Sequence, residues 1–267
     1  LAKFNPKIGY PDKWRDYSAL EIKAGDPLGN ERRVQAFEIK NDLEDLKKKT
    51  DKTRWFMTPQ TVNAYYNPSY NEIVFPAAIL QPPFFDEFAD PAINYGGIGG
   101  VIGHEMGHGF DDQGAKYDEN GVLRDWWTPA DLAAFKALGA KMVTQYSAFE
   151  PLPGLKLNGQ LGLGENIGDH CGVIIGHQAY KLSLKGKKAP VLDGVTGDQR
   201  FFLAWSQVWR ALQTEEALRN QVQTGPHSPA QFRVNGAVQN SDAWYQAFNV
   251  QPGNKLYVAP ENRVRIW

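Results

Sequence analysis

One stretch restricts this chain more than any other. Between Asp90 and His108 it carries glycines at 96, 97, 99, 100, 103 and 107, yet its apolar residues Ile98, Val101, Ile102 and Met106, with Phe110 just beyond, follow a helical period. Each glycine in a helix interior costs about 1 kcal/mol relative to alanine. A sequence that accepts this cost needs close backbone approach, so the spacing predicts a buried helix packed tightly on a neighbour. Asp90-Pro91 supplies the expected N-cap and first helical residue.

The same helix carries His104-Glu105-Met-Gly-His108. Residues four apart share a helix face, so two imidazoles can reach one metal ion with Glu105 beside it. Hydrolytic zinc takes three protein ligands and one water, whose pKa falls to about 7, and a neighbouring carboxylate can accept that water's proton. The competing reading of the motif is two structural histidines on a polar face. A third histidine six residues after the second would complete one known pattern, but that position is Gly114. Asp111 and Asp112 lie so close to the helix end that they read as a polar exit ordering the next loop. The third ligand must come from elsewhere.

Gly164-Glu165-Asn-Ile-Gly-Asp169 opens another predicted helix, running towards Lys185. Its two carboxylates are four apart: the first can ligate the metal while the second accepts the free ring N–H of a ligating histidine. Acidic pairs at this spacing are common, but combined with the histidine motif the stretch supplies the missing ligand.

With 267 residues, 42% hydrophobic, the chain can bury a sizeable core. A net charge of −1 gives no basic surface for nucleic acid or an anionic membrane. Cys171 is the single cysteine, which excludes an internal disulfide and a cysteine-based zinc knuckle. No apolar run approaches the roughly 18 residues of a membrane span, and the N-terminus carries no secretory signal. Beginning at Leu1, the chain reads as a processed or truncated piece of something longer.

Residues 1 to 28 read as irregular, with at most short strands. Asn30 to Lys49 reads as a solvated amphipathic helix ending on Lys47-Lys48-Lys49. Thr61 to Tyr66 and Glu72 to Phe75 read as a hairpin around Asn67-Pro68, where a peptide could add by β-augmentation and Asn63 could bond its backbone; taken alone, Asn63 is an ordinary strand-end residue. Ile79 to Phe85 is a proline-broken apolar segment suited to a pocket. Thr128-Pro129 opens a scaffold helix to about Phe149, with Leu132, Phe135, Leu138 and Met142 as its buried stripe. Thr196 to about Leu212 forms a helix with Phe201, Phe202, Trp205 and Trp209 as an aromatic stripe, core by default. Ser228-Pro229 caps the next helix and places His227 just before it, where its N–H can reach an oxyanion; taken alone, His227 reads as a surface capping residue. His177 reads as structural. A short capped helix follows Ser241, and Trp267 suggests a buried C-terminus.

His104-Glu-Met-Gly-His108-Gly-Phe-Asp-Asp, Gly164-Glu165-Asn-Ile-Gly-Asp169, Val62-Asn63-Ala64-Tyr-Tyr and Arg265-Ile-Trp267 resemble the neprilysin family (M13) of zinc peptidases, over about Arg54 to Trp267. The resemblance implies an α+β, mostly helical, thermolysin-like (gluzincin) catalytic domain over 54–267, with 1–53 joining the rest of a larger enzyme. It implies one Zn2+ held by His104, His108 and Glu165, Glu105 as general base, and Asp169 orienting His104. His227 stabilises the oxyanion and Arg233 takes a substrate carbonyl. Asn63 and Ala64 bind substrate backbone, and Ile79, Phe84, Val101 and Trp209 line the pocket for the residue after the cut. The implied activity is zinc endopeptidase, cleaving peptides on the amino side of hydrophobic residues. Two departures stand out. Gly168-Asp169-His170-Cys171-Gly172 replaces the family's usual Ala-Asp-Asn-Gly-Gly, and His170 and Cys171 read as inert packing. The family's further helical region is missing, so the expected partners are peptide substrates and an N-terminal portion of the same enzyme as a separate chain. The expected setting is bacterial, periplasmic or secreted. The competing readings are a catalytically silent fragment or peptide-binding module that keeps the fold, and a purely structural zinc with a closed four-ligand shell.

Overall fold

The computed structural model describes residues 1–267. Strand β1 (Asn5–Gly9) precedes helix α1 (Pro27–Asp45), strands β2 (Tyr65–Asn67) and β3 (Glu72–Pro76), and helices α2 (Pro91–Gly96), α3 (Ile98–His108), α4 (Pro129–Ser147), α5 (Leu163–Ser183), α6 (Gly197–Val208), α7 (Glu215–Thr224), α8 (Ala230–Val238) and α9 (Asp242–Phe248). This is the expected α+β architecture, mostly helical with one small sheet.

The predicted hairpin is present, with Tyr65 opposite Val74 and Asn67 opposite Glu72. It starts later than expected: Asn63 and Ala64 precede β2 instead of lying in it. On its other side β3 takes β1 as a parallel neighbour, Asn5 opposite Glu72. The order β1-β3-β2 leaves β2 an open edge. Every residue of β3 is buried, including Glu72, whose carboxylate is held by Lys7 at 2.6 Å.

The glycine-rich stretch is two helices rather than one, and the break lies at Gly97, where ψ is −100°. A Cβ there would strike the carbonyl of Phe84, whose oxygen instead accepts the Ile98 N–H at 2.7 Å. Asp90 does not cap α2 with its side chain; its carboxylate is taken by Arg200 of α6, at 3.0 Å. The close packing is as predicted. Gly100, Gly103 and Gly107 of α3 face Gly168, Gly172 and Gly176 of α5: a Cβ on Gly103 would lie 3.0 Å from Gly172 Cα, and one on Gly107 would lie 2.8 Å from Cys171 Cβ. Trp205 of α6 covers Gly100, where a Cβ would come within 2.7 Å of the indole. Only Ile102 of the expected apolar set turns outward, at 38% exposure.

Around this pair the core forms three clusters. α4, the start of α5 and the C-terminal residues Val264 and Ile266 close one; α2, α6 and α8 close the second on the other flank of α5; the sheet closes the third under α3. α4 begins at the predicted cap, Thr128 accepting Asp131 N–H at 3.2 Å. α6 begins at a full capping box between Thr196 and Gln199. Trp267 is half exposed rather than buried, because its ring lies over Phe135 at 5.7 Å and beside Phe110 at 5.8 Å with its other face in solvent. α1 buries no residue, and Lys47 to Lys49 fall beyond its end rather than in its last turn. Ser228 does not cap α8: its hydroxyl donates to Asn166 Oδ1 at 2.8 Å, tying the preceding loop to α5. Ser241 likewise precedes α9 without a side-chain cap.

Candidate active site

α3 presents His104 and His108 with their rings perpendicular, centroids 4.5 Å apart. Their Nε2 atoms are 3.0 Å from each other. Glu165, in the first turn of α5, brings Oε2 to 3.3 Å from the first and 3.7 Å from the second. The other nitrogen of each ring faces a carboxylate: His104 Nδ1 lies 2.9 Å from Asp169 Oδ1, and His108 Nδ1 lies 2.7 Å from Asp111 Oδ2. With a carboxylate against each Nδ1, a neutral ring at either position carries its proton on Nδ1 and turns its Nε2 lone pair towards Glu165. Three electron-rich donors converging within 4.8 Å are relieved by a cation, and two imidazoles with one carboxylate suit a hydrolytic zinc.

Burial opposes charge on His104, but Asp169 and Glu165 outweigh it and raise its pKa to about 10. Burial would likewise raise Glu165, yet His104 and His227 hold its carboxyl well below the usual carboxylate range. Glu105, on the same turn of α3, is buried with one oxygen unpartnered, and burial pushes its pKa up against the pull of both histidines. A carboxylate so raised is a better proton acceptor, as a general base requires.

Asp169 contacts more than His104. Arg233 of α8 grips it in two bonds of 2.8 and 2.7 Å, and the guanidinium lies 3.7 Å over the Trp209 ring. His227 Nε2 is 3.0 Å from Glu165 Oε2, on a loop held by Ser228 and by Gln221, which donates to the His227 carbonyl at 3.2 Å.

These groups open onto a cleft of about 750 Å³. Asn63, Ala64, Ile79, Phe84, Val101, Trp209 and Arg233 all border it. Ala64, Ile79 and Val101 are rooted in the cluster beneath the sheet. Asn63 is exposed at the approach to the open edge of β2, where an extended peptide could pair. His170 and Cys171 take no part: both are buried, both His170 nitrogens lack partners, and Cys171 sits under Gly107. His177 is structural as expected, bonded to Asp198 at 2.9 Å and stacked on Phe202.

Sequence reasoning missed the ring contact of Asp111. The residue does order the exit loop, its Oδ1 accepting the N–H groups of Gln113 and Gly114 at 2.8 and 2.7 Å, while Oδ2 holds His108. Its position three residues after His108 was the available signal.

The profile of Peptidase family M13 matches residues 63–264. An "Endothelin-converting enzyme homolog" of Locusta migratoria is 40% identical over 97% of this chain and 37% of its own length. "Endothelin-converting enzyme 1" of Bos taurus is also 40% identical, over 97% of this chain and 35% of its own. The crystal structure of Mycobacterium tuberculosis zinc metalloprotease ZMP1 in complex with inhibitor superimposes with a TM-score of 0.97 at 54% identity, covering 100% of this chain and 41% of that one. The chain spans little more than a third of the curated relatives it matches.

Proposed function

The chain belongs to peptidase family M13, and on that premise we propose that it is the catalytic part of a zinc-dependent endopeptidase that cuts peptides on the amino side of hydrophobic residues. The observation that supports this reading is the convergence of three metal donors beside a buried carboxylate in an open cleft. His104, His108 and Glu165 would hold the zinc, which would supply Lewis acidity to a water and to the scissile carbonyl. Glu105 takes the water's proton and returns it to the leaving amine. His227, half exposed on its loop, turns its N–H to the oxyanion, and Arg233 offers its remaining guanidinium N–H groups to a substrate carbonyl while Asp169 holds it in place. Asn63 and Ala64 bond the substrate backbone along the open sheet edge, and Ile79, Phe84, Val101 and Trp209 receive the apolar side chain after the cut. Residues 1–53, β1 excepted, join this unit to the N-terminal portion of the same enzyme. No helix is long and apolar enough to cross a membrane.

The test is Glu105→Gln assayed on a hydrophobic fluorogenic peptide. Hydrolysis should fall by about 10²- to 10⁴-fold with bound zinc unchanged by metal analysis. Unaltered hydrolysis in the variant removes the assigned mechanism. A wild-type chain that binds the peptide in a zinc-dependent way without cutting it identifies the silent binding module.

A further inference from the structure

The N-terminal segment shows no chemistry in its sequence, yet one of its side chains reaches the end of the metal-bearing helix. The Phe4 ring lies against Gly109, the residue directly after His108: a Cβ placed on Gly109 would come within 2.8 Å of Phe4 Cζ. The same ring packs 5.6 Å from that of Tyr66, which borders the cleft, and 6.2 Å from that of Phe110. Phe4 is a wedge between β2 and the end of α3.

The wedge is seated firmly. Asn5 N–H donates to the Asn71 carbonyl at 2.9 Å, and β1 then pairs with β3 as far as Gly9. Lys7 closes on the fully buried Glu72 carboxylate at 2.6 Å and donates to the Arg54 carbonyl at 2.8 Å. A slip of β1 by one residue would turn Lys7 to the other face of the sheet and strand a buried carboxylate, so the register of the strand fixes where Phe4 stands.

The wedge bears on four consecutive residues that matter to the metal site. Gly109 N–H donates to the Met106 carbonyl at 3.2 Å, and Phe110 N–H to the Gly107 carbonyl at 2.9 Å, so both still belong to the end of α3. On one side of them is the His108 imidazole; on the other is Asp111, whose Oδ2 lies 2.7 Å from His108 Nδ1. Phe4 touches the two residues that separate a metal-facing ring from the carboxylate that aims it. Gly109 has φ −64° and ψ −16°, a conformation any residue adopts. It is the Phe4 ring, not the backbone, that leaves no room for a side chain at 109.

We propose that Phe4 is a positioning residue for the metal site, holding the end of α3 so that His108 and Asp111 keep their mutual aim. The inference rests on His108 being a metal ligand, as in the function proposed above. β1 is then part of the support of the metal centre, and a change at residue 4 alters how tightly zinc is held.

The test measures zinc affinity of the full chain by chelator competition, with circular dichroism of the metal-free protein as the check on folding. Phe4→Ala should weaken zinc binding about tenfold, the lower end of what loss of support around a metal ligand costs. Gly109→Ala, whose methyl group pushes on the ring, should weaken it as well. In the double variant the methyl group takes up space that the ring has left, so it should bind zinc more tightly than Phe4→Ala alone. Should Phe4→Ala fail to fold, Phe4→Leu, which keeps apolar bulk but not the reach of Cζ, carries the same comparison. A folded Phe4 variant with wild-type zinc affinity, or a double variant no tighter than the Phe4 variant alone, overturns the proposal. Failure of the underlying reading shows separately, as a His108→Ala variant that keeps wild-type zinc affinity.

Discussion

The α3–α5 pair and the α1 stretch are opposite solutions to being part of a protein. In the first, glycines bring two backbones into contact, and the polar groups at the interface answer one another: Asp169 to His104 and Arg233, Asp111 to His108. In the second, a well-formed helix with an Asp26 cap buries nothing, and Leu28, Ile39, Leu43 and Leu46 stand 55% to 81% exposed. The metal-bearing core completes itself from this chain's residues, whereas α1 holds apolar surface for which the chain supplies no counterpart.

The largest effect should come from breaking the helix contact. Gly172→Val would drive a branched side chain into the Gly100 carbonyl and should cost about 3 kcal/mol or more, with loss of zinc retention, read by thermal unfolding and metal analysis. Next is Asp169→Ala, which leaves Arg233 buried without its partner. A loss of about 3 kcal/mol or more is expected, and a 10- to 100-fold drop in zinc affinity by chelator competition. Asp111→Asn, at a partly screened ring, should reproduce the fall in zinc affinity with a smaller stability change. His170 sharpens the comparison by pH. Burial lowers its pKa to about 4, so below the ordinary value near 6.5 the unfolded chain binds a proton the folded chain refuses. Stability is therefore lost as pH falls from about 6.5 to about 4, and His170→Leu should show a shallower fall over that window in denaturant titrations. The smallest effect belongs to α1: Leu46→Glu should change stability by no more than about 0.5 kcal/mol. A larger loss there would mean that α1 is packed after all.

What could be read from sequence was what short-range geometry decides. The four-residue spacings of His104 with His108 and of Glu165 with Asp169 put the right atoms on the right faces, and the glycines announced the helix contact before its partner was known. What escaped depended on residues far away in the chain. Asp90 has the form of an N-cap, but a guanidinium from α6 outbids the backbone for its carboxylate. Ser228 likewise answers Asn166 instead of α8. The break at Gly97 is set by the Phe84 carbonyl, and β1 is a strand because β3 offers an edge to a run with little β-pattern of its own. α7 carries few apolar residues and no motif, and its sequence gave no reason to look for it.

Arg233 touches Trp209 on one side and Asp169 on the other, and Asp169 touches His104. The wall that would sort substrates and the ring that would hold the metal are thus three contacts apart. A lineage altering selectivity through residue 209 changes the support of Arg233, and through it the basicity and aim of an imidazole at the reaction centre. On the proposed function, selectivity would drift more freely at Ile79 or Phe84, which sit on the sheet side of the cleft and outside that chain of contacts. The two walls of one pocket would therefore differ in evolvability: one would be tied to turnover, and the other could vary while turnover is kept.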